Sequence, residues 1–273
     1  MAHDGVTVAQ PPRAPVGATS AALSLAQATR NYGAVRAISF DLDDTLWDFR
    51  LAVLRAEEEL KMWLAQAAPG TVCVLASVEA LPRYREQVVL QRPDLVHSPQ
   101  LVRLESIRQV LLDAGGEPNL AAEAYAVFYR ARQCAAVFDD AVPALDWLFR
   151  RYRLVAVTNG NSDLQASPLR PYFCGVLTAA KLGYGKPDQR IFRAAADAAG
   201  VPLEAVLHVG DDITLDVQGA LAAGMQAAWM VRTHLPRPAQ TLSSTTQSAL
   251  RIGDLAELCD ALEACSMSSA EES

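Results

Sequence analysis

From residue 36 onward the chain alternates short apolar runs with stretches of helical spacing. The runs are RAISF (36–40), RLVAVT (153–158), GVLTA (175–179), AVLHVG (205–210) and QAAWMV (226–231). A strand with one wet face alternates apolar and polar residues. Runs that are apolar almost throughout suit strands covered on both faces, as in a parallel sheet. Helix candidates lie between the later runs. PDQRIFRAAADAAG opens with Pro187 and Asp188, places Ile191, Phe192, Ala195 and Ala199 on one face, and stops at Gly200. LDVQGALAAG ends at Gly224, DDAVPALDWLFRRY precedes the second run, and DLAELCDALEA (254–264) closes the series. Strand and helix in repetition predict a doubly wound, Rossmann-like α/β sheet.

Residues 51–135 break the rhythm. LAVLRAEEELKMWLAQA and LVRLESIRQVLLDAGG are rich in Leu, Ala, Glu and Arg at helical spacing, and no convincing strand appears, although TVCVLAS could be misread as one. The segment reads as an α-helical cap subdomain inserted after the first strand. The expected core is then 35–50 plus 136–265. Residues 1–34, rich in Ala, Pro, Ser and Thr, read as a flexible leader; an organelle transit peptide is the lesser alternative. Residues 266–273 read as a disordered tail.

Composition narrows the function classes. A net charge of −7 argues against a nucleic-acid footprint or a polybasic membrane anchor. No apolar stretch approaches the roughly 20 residues a membrane span needs. The five cysteines are odd in number, widely spaced and without a CxxC pair. They read as reduced thiols of a cytoplasmic protein, not a zinc site or a disulfide framework.

Polar signals fall at the carboxyl ends of four runs. Asp41 and Asp43 follow the first. TNGN, Thr158 to Asn161, ends the second. KLGYGKPD with Lys186 follows the third. Asp211 and Asp212 end the fourth, with Asp216 a turn further on. Each alone is an ordinary turn or cap. Together they would meet where ligands bind in open α/β sheets, beyond the carboxyl ends of the strands.

In that order the motifs resemble the haloacid dehalogenase superfamily of phosphohydrolases: DLDDT matches its first motif, TNG its second, GKP its third and GDD…D its fourth. The likeness spans about residues 36–232. TNGN, HVGDDITLDVQGALAAGMQAAW and HSPQLVRLESIRQVLLDAGG further resemble bacterial phosphatases acting on FMN and on 5-amino-6-(5-phospho-D-ribitylamino)uracil. The resemblance implies a Mg²⁺ ion touched by the Asp41 carboxylate, the Asp43 backbone carbonyl and Asp211, with Asp212 or Asp216 as a further acid. A divalent cation would explain why acids are tolerated side by side.

Within that frame Asp41 is the nucleophile, through an aspartyl-phosphate. Asp43 is the general acid and then base; dehalogenases of the superfamily lack a second acid there, since halide needs no proton. Thr158 and the Asn159 backbone N–H would bind phosphoryl oxygens, and Lys186 would neutralise charge. Trp47 and Phe49 read as packing between core and cap more than as stacking on a substrate ring. His97 and Arg103 lie in the cap segment, and Arg103 is expected to reach the substrate. His208 reads as a satisfied core histidine. The expected partner is a small phosphorylated metabolite, bound by a monomer or homodimer. A generic sugar-phosphate or nucleotide phosphatase, or a phosphotransferase (mutase) of the same fold, is the alternative. A response-regulator receiver would carry its acids in a different chain order, and no GxxxxGK[ST] or GxGxxG nucleotide motif occurs.

Overall fold

The computed structural model describes residues 32–96, 98–162, 164–235, 246 and 248–271. The five apolar runs form strands β1 (Ala37–Phe40), β2 (Arg153–Thr158), β3 (Gly175–Thr178), β4 (Val206–Gly210) and β5 (Gln226–Met230). A sixth strand, β6 (Leu250–Ile252), extends the sheet beyond the sequence expectation. Three residues with an exposed arginine between two buried aliphatics carry too little apolar signal to be read as a strand. All pairings are parallel, in the order β3-β2-β1-β4-β5-β6.

The inserted helices are α1 (Phe49–Ala67), a single turn α2 (Thr71–Val74), α3 (Ala80–Gln91), α4 (Pro99–Asp113) and α5 (Ala121–Arg132). They share their own apolar cluster, including Leu60, Leu64, Leu81, Ile107, Leu111 and Phe128. TVCV forms a helical turn and not a strand. The core helices are α6 (Ala141–Phe149), the short α7 (Ala179–Leu182), α8 (Gln189–Ala199), the short α9 (Gly219–Ala223) and α10 (Leu255–Glu271). Helix α10 runs past the expected boundary, so residues 266–271 are helical and not a disordered tail. The first 31 residues of the expected leader lie outside the described residues. Its last three form a 3₁₀ turn whose Tyr32 is buried in the core.

The two sheet faces bury different sets of side chains. Ile38 and Phe40 of β1 enter one cluster with Leu145 and Leu148 of α6 and Leu258 and Leu262 of α10. Ala37 enters the other, with Ile191 and Phe192 of α8 and Val217 and Ala220. The period of two along a strand makes that division. Because β1 lies between β2 and β4, the loops after these three strands open side by side. No helix among the described residues is long and apolar enough to cross a membrane.

Candidate active site

Asp41 leaves the sheet in register, its N–H donating to the Val209 carbonyl of β4 at 2.9 Å. The chain then winds tightly. The N–H groups of Thr45 and Leu46 both donate to the Leu42 carbonyl, and the Asp44 N–H donates to the Trp47 carbonyl at 2.8 Å. Asp44 takes the left-handed conformation, φ 57°, which a short hydrogen-bonding side chain tolerates. Its carboxylate accepts from the Phe49 N–H at 3.0 Å. Asp48 then caps α1, accepting from the Leu51 N–H at 2.7 Å. Of the clustered acids, Asp44 and Asp48 thus shape the loop and start the cap.

Lys186 joins the end of β1 to the π-helical segment Ile213–Gln218 that follows β4. Its ammonium donates to Asp41 Oδ1 and, at 2.6 Å, to Asp216 Oδ1, and all three side chains are almost fully buried. Burial would lower the Lys186 pKa, but Asp216 and Asp41 outweigh it and hold the amine above the ordinary lysine range. Burial raises the Asp216 pKa, but Lys186 and His208 prevail and hold it below the usual carboxylate range. For Asp41 burial dominates: its pKa lies well above the ordinary value despite Lys186, with Asp216, Asp211 and Asp43 adding to the rise. Asp41 thus has three neighbouring acids, Asp216, Asp211 and Asp43, beside the one ammonium of Lys186.

One carboxylate oxygen from each of Asp41, Asp211 and Asp216 lies within 4.8 Å of the others. An all-oxygen donor set of clustered acids suits a hard divalent cation such as Mg²⁺. Asp212, expected as a possible metal contact, is placed differently. Its Oδ1 accepts from the N–H groups of Thr214 and Leu215 at 2.7 and 2.8 Å, capping the π-helical segment Ile213–Gln218.

The β2 loop supplies the opposite wall. Thr158 Oγ1 accepts from the Gly160 N–H at 2.9 Å, which leaves its proton free to donate. Asn159 clamps Lys186: its Oδ1 accepts from the Lys186 N–H at 2.7 Å and its Nδ2 donates to the Lys186 carbonyl at 2.8 Å. Two glycines permit these approaches. A Cβ at Gly185 would lie 2.4 Å from Asn159 Oδ1, and one at Gly160 would lie 2.7 Å from Asp43 Oδ2.

Asp43 is half-buried beside this wall. Its Oδ1 accepts from Trp47 Nε1 at 2.7 Å and from Ser162 Oγ at 3.0 Å. The free-facing Oδ2 then lies over Gly160, toward Thr158. Neither Trp47 nor Ser162 was assigned to the site from sequence. The indole is buried, as the packing expectation holds, and its N–H also grips the acid. Ser162 carried no signal beyond its place two residues after TNG.

His208 sits beneath the site as a satisfied core histidine. It pairs with Ser39 Oγ at 2.8 Å and Asp216 Oδ1 at 3.1 Å, with the Phe192 ring edge-on to it. Burial lowers its pKa, against the pull of Asp216, and favours the neutral ring. Arg103 is in the cap, donating to Glu57 at 2.9 Å and lying 3.8 Å over the Phe128 ring. Arg85 shares the same Glu57 oxygen at 2.7 Å. His97 lies outside the described residues.

The haloacid dehalogenase-like hydrolase family matches residues 35–224. The chain belongs to that family. It is 37% identical over 235 residues to the 5-amino-6-(5-phospho-D-ribitylamino)uracil phosphatase YigB of Escherichia coli (strain K12), covering 84% of this chain and 97% of that one. A phosphoserine phosphatase of Thermus thermophilus is 37% identical over 157 residues, covering 55% of this chain and 61% of that one. Among solved structures, a protein described as a 2-haloacid dehalogenase from Pseudomonas syringae pv. Tomato DC3000 superimposes with a TM-score of 0.68. It is 35% identical and covers 84% of this chain and 99% of that one. Within the family this chain is a phosphatase-type enzyme.

Proposed function

We propose that this haloacid dehalogenase-like enzyme hydrolyses small phosphate monoesters with Mg²⁺, through a phosphoryl group carried transiently on Asp41. The observation that carries the reading is the meeting of Asp41, Lys186 and Asp216 in one buried cluster, with Asp43 beside it. Asp41, Asp211 and Asp216 would hold Mg²⁺, together with the Asp43 carbonyl. Bound there, the ion supplies positive charge that lets a carboxylate approach a phosphate dianion.

An Asp41 oxygen attacks phosphorus as the bond to the ester oxygen breaks. Asp43, protonated at that moment, gives its proton to the departing alkoxide. The resulting carboxylate then takes a proton from water, whose oxygen attacks the phosphoryl group and frees Asp41. Thr158, the Asn159 N–H and Lys186 would bind the phosphoryl oxygens, with Lys186 held in place by the Asn159 side chain. Asp43 also favours ester over carbon–halogen chemistry, which needs no acid for the leaving group. That weighs against reading activity from the 2-haloacid dehalogenase likeness.

The substrate reading is FMN or 5-amino-6-(5-phospho-D-ribitylamino)uracil, supported by the near full-length likeness to the Escherichia coli enzyme of that name. Arg103, held on Glu57 and over the Phe128 ring in the cap, is the proposed contact to the organic part of the substrate. The test is kcat/KM on a panel of phosphate esters with Mg²⁺ and with EDTA. The expected result is that one of the two leads the panel, that EDTA abolishes turnover, and that Asp41→Asn is inactive. Full turnover by Asp41→Asn would refute the nucleophile. Turnover of the ester only when an acceptor sugar is added, with a sugar phosphate formed and no inorganic phosphate released, would instead mark a phosphotransferase.

A further inference from the structure

Cap helix α5 ends at Arg132, which is buried although arginine is seldom so. Its guanidinium meets the β2 loop: Nη2 donates to Asn161 Oδ1, and Nη1 donates to Ser162 Oγ at 3.4 Å. The Phe49 and Tyr129 rings lie 5.6 and 5.9 Å from it. Tyr129 makes a second tie, its hydroxyl donating to the Asn161 carbonyl at 3.1 Å. The far side of Ser162 faces the chemistry, since its hydroxyl reaches Asp43 Oδ1.

A hydroxyl has one proton to give and two lone pairs to receive. Arg132 can only donate, so it occupies a Ser162 lone pair. The Ser162 proton is thereby directed to Asp43 Oδ1, the oxygen that Trp47 also holds. With Oδ1 engaged twice, Oδ2 is left toward Thr158 as the oxygen that exchanges protons with the substrate. We propose that Arg132 and Ser162 are positioning residues that set the Asp43 carboxyl for proton transfer and tie it to cap helix α5 through the β2 loop. Neither residue touches the reacting atoms; each acts through Asp43.

The inference rests on Asp43 being the acid of the proposed phosphatase, and the test separates the two claims. The value of kcat/KM reports steps through departure of the alcohol. An alkyl phosphate needs its leaving oxygen protonated, whereas p-nitrophenolate leaves without help. The variants are Ser162→Ala, Arg132→Ala and Asp43→Asn, each assayed with glycerol 3-phosphate and p-nitrophenyl phosphate. For Ser162→Ala and Arg132→Ala, kcat/KM should fall about tenfold on the alkyl ester, part of the roughly 10²–10⁴ a general acid supplies. It should fall less than about twofold on the aryl ester, where that assistance has no role. Neither change should add to the loss in an Asp43→Asn background, and Ser162→Thr, which keeps the hydroxyl, should restore the alkyl rate. Equal losses on both esters, or wild-type rates on both, would overturn the relay. If Asp43→Asn itself lacks the leaving-group dependence, the acid assignment fails instead, and the relay with it. Should Ser162→Ala not fold, Ser162→Cys, close in size and a weaker donor, gives the same reading.

Discussion

Asn159 spends both ends of its amide on the Lys186 backbone, so the lysine is held by two hydrogen bonds before its ammonium meets any acid. The family resemblance pointed to Asn159 as a backbone donor to phosphate; the side-chain clamp depends on a loop 27 residues away and left no mark in local sequence. Asn159→Ala should strand the Lys186 N–H and carbonyl. Removing a partner from a buried polar group costs about 1–3 kcal/mol. We expect a lower unfolding free energy and a kcat/KM loss approaching the 10²–10³ typical of a lost preorganised donor. Urea denaturation and steady-state kinetics against Lys186→Met check both. The same limit hid Trp47 and Ser162. Each grips Asp43 through geometry made by the tight turn after β1 or by the loop after β2, and single residues do not advertise such contacts.

At the scale of elements, the π-helical segment after β4 explains how GDD…D divides its labour. The N–H groups of Asp216 and Val217 both donate to the Asp212 carbonyl, at 3.0 and 3.2 Å, widening the turn. Asp212 caps the segment while Asp216 turns back under Lys186 and accepts from the Asp212 N–H at 3.0 Å. Wide turns of this type recur at functional sites. Asp212→Ala should therefore cost about 0.5–2 kcal/mol of stability, as a lost cap does, and leave Mg²⁺ affinity little changed. Asp216→Ala should weaken Mg²⁺ binding severely. Calorimetric titration of both variants checks the division, and equal losses of Mg²⁺ affinity would refute it. Strands β1 to β5 were readable because burial on both faces writes a continuous apolar run. Strand β6, short and with Arg251 exposed between Leu250 and Ile252, was not.

Across the whole molecule, two apolar clusters sandwich the sheet and a third holds the cap, with Arg132 and Tyr129 among the ties to the β2 loop. Tyr32 closes the core at its amino-terminal edge. Burial, offset in part by a backbone hydrogen bond from Leu250, pushes its phenol up to about 12. The fold keeps Tyr32 protonated where the unfolded chain releases the proton, so its contribution is complete below pH ~10 and lost as pH rises toward ~12. Tyr32→Phe should reduce the slope of unfolding free energy against pH in that window by up to one proton, measured by denaturant titration. Sequence by itself determined the parallel sheet, the inserted helices and the order in which Asp41, Thr158, Lys186 and Asp211 reach strand ends. Hydrophobic period and chain order are local properties, written residue by residue. Only tertiary structure decided that Asp212 is a cap, that Asn159 holds Lys186, and that Ser162 and Arg132 stand behind Asp43. Those contacts join segments whose distance and direction exist only once the sheet is assembled and the cap is docked.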